Sequence, residues 1–185
     1  MAVQMPFDEL NILNAQIEAA MDIDREQVKK DKRYYIDEVT DLFVMAYVFG
    51  TQEASNQLNT AIAPDMQEMQ DAINEKIAGK DYIERLNEYL ENGTFADIKR
   101  VLDTDTHRIF NNALLNSAKK GGATTKTWNC MMLPTSRDTH VYLNGVTIPI
   151  DAEFYSFNGG RTQYPGQWGI AEEDCNCLCW LTFDK

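Results

Sequence analysis

The apolar spacing of this chain changes at Lys119-Lys120-Gly121-Gly122, and that change restricts it to folds built from two kinds of element. Before the break, apolar residues recur every three or four positions, the period of a helix with one buried face; after it they fall in short β-prone runs between turn residues. Pro6 and Asp8 open a stripe of Leu10, Leu13, Ile17 and Met21. Asp24 starts a longer segment whose apolar face is Val39, Leu42, Phe43, Ala46 and Phe49, with a break expected at Gly50. Pro64-Asp65 reopens a helix carrying Met66, Met69, Ile73 and Ile77, closed by Gly79. Asp81 caps another, with Ile83, Leu86 and Leu90, and Gly93 suits the left-handed position that ends many helices. Thr94 and Asp97 form a capping pair ahead of Ile98, Leu102, Ile109 and Ala113.

Beyond Gly122, residues 124–128, 139–143 and 146–150 predict strands, with Asn144-Gly145 as a hairpin turn. Asn158-Gly159-Gly160, Tyr164-Pro165-Gly166 and Gly169 mark loops, and residues 175–183 predict a final strand. The class is therefore α+β: a helical region over 1–121 and a small, loop-rich antiparallel module over 122–185.

No apolar run reaches the roughly 20 residues that span a bilayer; the longest extends from Leu42 to Phe49. The start lacks the charged-then-apolar layout of a signal peptide, so the expectation is a soluble chain made in a cytoplasm with no membrane partner. The net charge is −12, and 22 acidic against 13 basic residues lie before Gly122 while 7 against 4 follow. Such a surface repels phosphate backbones, so DNA contact is disfavoured and would need a local basic patch. The one basic run, Lys29 to Arg33, reads as the solvated face of a helix.

Chemistry concentrates in few residues. There are four Cys and two His, and Cys175, Cys177 and Cys179 would share one face of the final strand. Thiolates on one side, met by His140 or Cys130, suit a structural tetrahedral zinc; the alternative is that they are small buried hydrophobes beside a core histidine. Cysteine hydrolysis with Cys177 as nucleophile and His140 as base is a further alternative, with no third orienting group evident in the sequence. Asp103 and His107, four apart on a helix, read as a surface pair rather than a metal site. No phosphate loop, nucleophile elbow or zinc-protease motif is present, so no enzyme is expected.

The last third resembles the phage head-morphogenesis family typified by phage Mu protein F, the minor head proteins of tailed phages. The resemblance rests on Lys126-Thr127-Trp128, Ser136 to His140 with Arg137 and Asp138, Leu143-Asn144-Gly145, Phe154, Tyr164-Pro165-Gly166, and Glu173 to Cys179 with Asn176, Cys177, Cys179 and then Trp180. Trp128 and His140 stand twelve residues apart, as the family has them, and a looser resemblance extends upstream through residues 80–85 and 103–108. Two departures stand out: Leu133-Pro134 where the family carries an acidic residue, and Leu178 where it has arginine. If the family motif binds metal through His, Asp and two Cys, Cys130 would substitute for the missing acid. The resemblance implies a non-enzymatic protein of the virion head or procapsid. It would act at the portal vertex with portal, capsid or scaffolding proteins as partners, and in DNA packaging or ejection. The helical region would make those contacts, with the stretch from Asp24 to Gly50 and its aromatic Phe43, Tyr47 and Phe49 as the expected portal face. The alternatives that remain are a zinc-stabilised DNA- or protein-binding module and a Cys/His or metal-dependent hydrolase.

Overall fold

The computed structural model describes Ala15, Ala19, Val28 and residues 30–77 and 79–185; of the expected helix from Pro6 to Met21, Ala15 and Ala19 are described, both helical, and its other residues and the start at Asp24 lie outside the described residues. Among the described residues from Lys32 on, the named elements begin with helices α1 (Lys32–Leu58), α2 (Met66–Ile73), α3 (Tyr82–Asn92) and α4 (Phe95–Lys120). Then follow β1 (Thr125–Asn129), α5 (Asp138–Leu143), β2 (Thr147–Pro149), β3 (Phe154–Tyr155), β4 (Arg161–Thr162), α6 (Ala171–Asp174) and β5 (Trp180–Asp184). The class is α+β.

Local chemistry sets the helix starts. Asp65 accepts from the backbone N–H groups of Gln67 and Glu68, and Asp81 and Glu84 exchange side-chain-to-backbone bonds across the first turn of α3. Ahead of α4, the Thr94 N–H and hydroxyl both donate to Asp97 (2.8 Å each). Each such cap contributes about 1 kcal/mol. Gly93 ends α3 at φ −93° rather than in the left-handed region, and α2 stops at Ile73, ahead of the expected Gly79. Met66 and Ile83, expected on apolar faces, are exposed.

The expected break at Gly50 does not occur, and α1 continues to Leu58. A Cβ on Gly50 would lie 2.4 Å from the Phe110 carbonyl and 2.9 Å from the Ala113 Cβ, so the missing side chain lets α1 cross closely over α4. Ser117 donates to Thr51 one turn further along that crossing (3.0 Å). Phe43 and Tyr47, expected to face a partner, instead lie in this core, as do Leu42 and Ala46. Spending them on intramolecular burial removes them from any docking face.

Helix α4 is buried on several sides, and it carries charge inside. Asp105 holds Arg85 (2.8 Å) and Arg108 (3.2 Å), while Arg108 reaches Glu75 (2.5 Å) and the Ala72 carbonyl (3.0 Å). The expected pair does not lie at the surface. Asp103 binds Lys99, and His107 is buried, its Nε2–H donating to the carbonyl of Cys179 (2.6 Å), because that face of α4 is covered by the C-terminal module.

The sheet runs β2-β1-β5, all antiparallel, with Trp128 opposite Leu181; β3 and β4 pair separately. Lys126 and Trp128 point inward from β1 and both are fully buried. Residues 139–143 form helix α5 despite their β-branched content, since Asp138 stands in its first turn and Arg137 enters it extended. Asn144-Gly145 is consequently not a hairpin turn: it returns the chain from α5 onto β1. There Gly145, at φ +80°, donates to the Trp128 carbonyl, and the Asn144 side chain accepts from Cys130 N–H. The final strand begins at Trp180, five residues late, because α6 and a turn through Asn176 (φ +54°) occupy the stretch before it. Among the described residues no helix is long and apolar enough to cross a membrane.

Candidate metal centre

Three short elements converge at the end of the sheet. Helix α5 supplies His140, α6 supplies Glu173, and the segment between α6 and β5 supplies Cys177 and Cys179. The imidazole packs against two indoles that also touch each other (5.8 Å), edge-on to Trp128 (5.8 Å between centroids) and stacked on Trp168 (6.2 Å, 24°). Its Nδ1 lies 3.6 Å from the Cys177 Sγ and 3.4 Å from the Cys179 Sγ. All three residues are buried, and their ligand atoms lie within 4.8 Å of one another. With Zn–S near 2.3 Å and Zn–N near 2.05 Å at the tetrahedral angle, N and S should stand about 3.6 Å apart, so both N–S separations match edges of a zinc tetrahedron. The cluster can hold a metal ion.

The electrostatics separate the two sulfurs. Burial opposes ionisation of Cys177, but the neighbouring Cys179 thiol and the His107 and His140 imidazoles outweigh it, and its pKa falls well below that of an ordinary cysteine. Cys179 moves up, because it hydrogen-bonds to Cys177 and because it is itself buried.

Behind the ring, His140 Nε2 lies 3.1 Å from Glu173 Oε2, an ion-pair distance without aligned hydrogen-bond geometry. The Glu173 carboxylate is held by Thr139 Oγ1 (2.8 Å to Oε2) and Asn158 Nδ2 (2.6 Å to Oε1). A third orienting group is thus present, one that the sequence alone does not reveal. The cavity beside the cluster is only about 50 Å³. Substrate pockets typically occupy about 300–1,000 Å³, so this arrangement suits an ion better than a nucleophile with a substrate.

Set beside known proteins, the chain has two partial likenesses. No family model matches it, and no solved structure does. It is 31% identical over 83 residues to minor head protein GP7 of Bacillus phage SPP1, covering 43% of this chain and 27% of that one. It is 25% identical over 142 residues to the NAD(+)–arginine ADP-ribosyltransferase EFV of Enterococcus faecalis, covering 58% of this chain and 29% of that one. The chain spans less than a third of the length of either.

Of the four expected ligands, the structure brings three together. Cys130 lines the same small cavity with its sulfur 3.7 Å from Ser136 Oγ, outside the three-atom cluster. Cys175 does not share their face, since the chain turns at Asn176 instead of running extended. The other motif residues build the surroundings. Arg137 donates to the Cys175 carbonyl, and Asp138 is exposed in the first turn of α5. Tyr164 accepts from Asn112 (2.9 Å), Pro165 is buried, and Gly166, at φ +88°, lies against the Arg108 backbone where a Cβ would come within 3.1 Å. Glu173 appears in the sequence motif, but its role emerges only from the packing of α5 on α6.

Proposed function

We propose that this chain is a non-enzymatic minor head protein of a tailed phage, acting in head morphogenesis at the portal vertex. The observation that carries the reading is the 31% identity over 83 residues to a phage minor head protein. In this reading the protein contacts the portal and the capsid or scaffolding proteins, resides in the procapsid or virion head, and aids DNA packaging or ejection. Zinc held by His140, Cys177 and Cys179 pins the C-terminal module and has no chemical step to perform. Co-expression with the portal and capsid proteins of the same phage, followed by sedimentation, tests the assignment. The expected result is a low, fixed copy number in particles that is lost when the portal is omitted. A chain that stays at the top of the gradient in every combination refutes it.

A second reading is favoured by the likeness to the ADP-ribosyltransferase, in which this chain takes part in ADP-ribosyl transfer from NAD. It predicts NAD consumption by the purified chain, and the head-protein reading predicts none.

A further inference from the structure

We infer that Glu173 is a positioning residue for the metal centre: its carboxylate keeps the proton of His140 on Nε2, so that Nδ1 presents its lone pair between the Cys177 and Cys179 sulfurs. The inference rests on the zinc reading above and is independent of the head-protein assignment.

A histidine has two nitrogens, and a metal can take only one that carries no proton. Here the choice is imposed from outside the ring. Trp128 and Trp168 hold its plane, which points one nitrogen at the sulfurs and the other at Glu173. A carboxylate accepts and cannot donate, so the nitrogen facing it is the protonated one. Glu173 can enforce this because it is itself immobilised. It is buried, each oxygen takes a bond from a different segment, and among the described residues its ion-pair partner is His140. Its neighbours have other tasks: Asp174 caps the loop by accepting from the Trp168 and Gly169 N–H groups, and Arg137 is engaged with the Cys175 carbonyl. Outer carboxylates of this kind typically change metal affinity about 10–100-fold.

The test compares the full chain with Glu173→Gln, titrating zinc against a chromophoric chelator and reading the His140 tautomer by long-range ¹H–¹⁵N NMR. The expected result is one tight zinc per wild-type chain with Nε2 protonated, and a 10–100-fold weaker site in Glu173→Gln with the tautomer no longer fixed. Stability of the two metal-free proteins should differ far less than their affinities, which a purely structural role would not produce. If Glu173→Gln does not fold, Thr139→Val, which removes one of the two donors holding the carboxylate, should weaken zinc in the same direction by a few-fold. Equal affinity and an unchanged tautomer in the variants overturn the role of Glu173 while leaving the zinc reading standing. A wild-type chain that binds no zinc overturns both.

Discussion

Lys126 offers the most direct test of how this core is built. It is fully buried on the central strand, donates to the Gln163 carbonyl and Oε1 (2.9 Å each), and lies 5.5 Å from the centre of the Phe154 ring. Burial, with Lys119 adding to it, pulls its pKa down from 10.5 to about 8. The folded state therefore holds this proton more weakly than the unfolded chain does. Below about pH 8 both states are protonated and folding bears the full cost of the buried ammonium. Between about 8 and 10.5 the unfolded state keeps a proton that the folded state has released, so stability rises with pH. At 1.36 kcal/mol per pKa unit, the contribution over that window is at most about 3 kcal/mol. Lys126→Met keeps the aliphatic stem and removes the charge, at the expense of leaving the Gln163 carbonyl unpaired, about 1–3 kcal/mol. Near pH 7 the two effects nearly cancel, and the wild-type-minus-variant stability should rise on going from pH 7 to 9.5. Urea unfolding of both proteins across that range, with reductant and metal held fixed, isolates the difference, because every other titrating group is shared. A wild-type-minus-variant difference that stays flat with pH refutes the argument.

Other consequences are simpler to state. Gly50→Ala should destabilise by about 1–3 kcal/mol, despite alanine's better helix propensity, since the new methyl collides with the Phe110 carbonyl; unfolding midpoints measure it. Asp105→Ala takes the carboxylate partner from the partly buried Arg85 and leaves the buried Arg108 with Glu75 and the Ala72 carbonyl, and should cost about 3 kcal/mol, seen as a fall in Tm. Chelator should lower the Tm of wild type and leave Cys177→Ser, already without its metal, unmoved.

What could be read from sequence was what nearby residues decide. The caps at Asp65, Asp81 and Thr94 were visible because donor and acceptor lie within three residues. Gly50 reads as a terminator in the sequence because its role depends on Phe110, sixty positions later. His107 reads as a surface residue because the helix period gives a face without naming what covers it. At the metal centre, the alternation of Cys177 and Cys179 and the distant His140 were sufficient to suggest the cluster. The strand assumed for residues 175–183 wrongly added Cys175, and nothing in the sequence links Glu173 to a histidine 33 residues before it.

The placement of β5 has a consequence for the order of folding. Gln57, near the end of α1, donates to the Leu181 carbonyl and accepts from Phe183 N–H, and His107 on α4 is capped by the Cys179 carbonyl. Helices α1 and α4 can find each other early, but one side of that pair stays wet until residues more than 120 positions beyond α1 arrive. The entropic penalty for so long a loop grows only logarithmically, so final stability suffers little, whereas the search is slow. Until it ends, β1 keeps an unpaired edge that a second chain can occupy as readily as β5. Crowded synthesis of this protein is thus a race between strand insertion and intermolecular pairing.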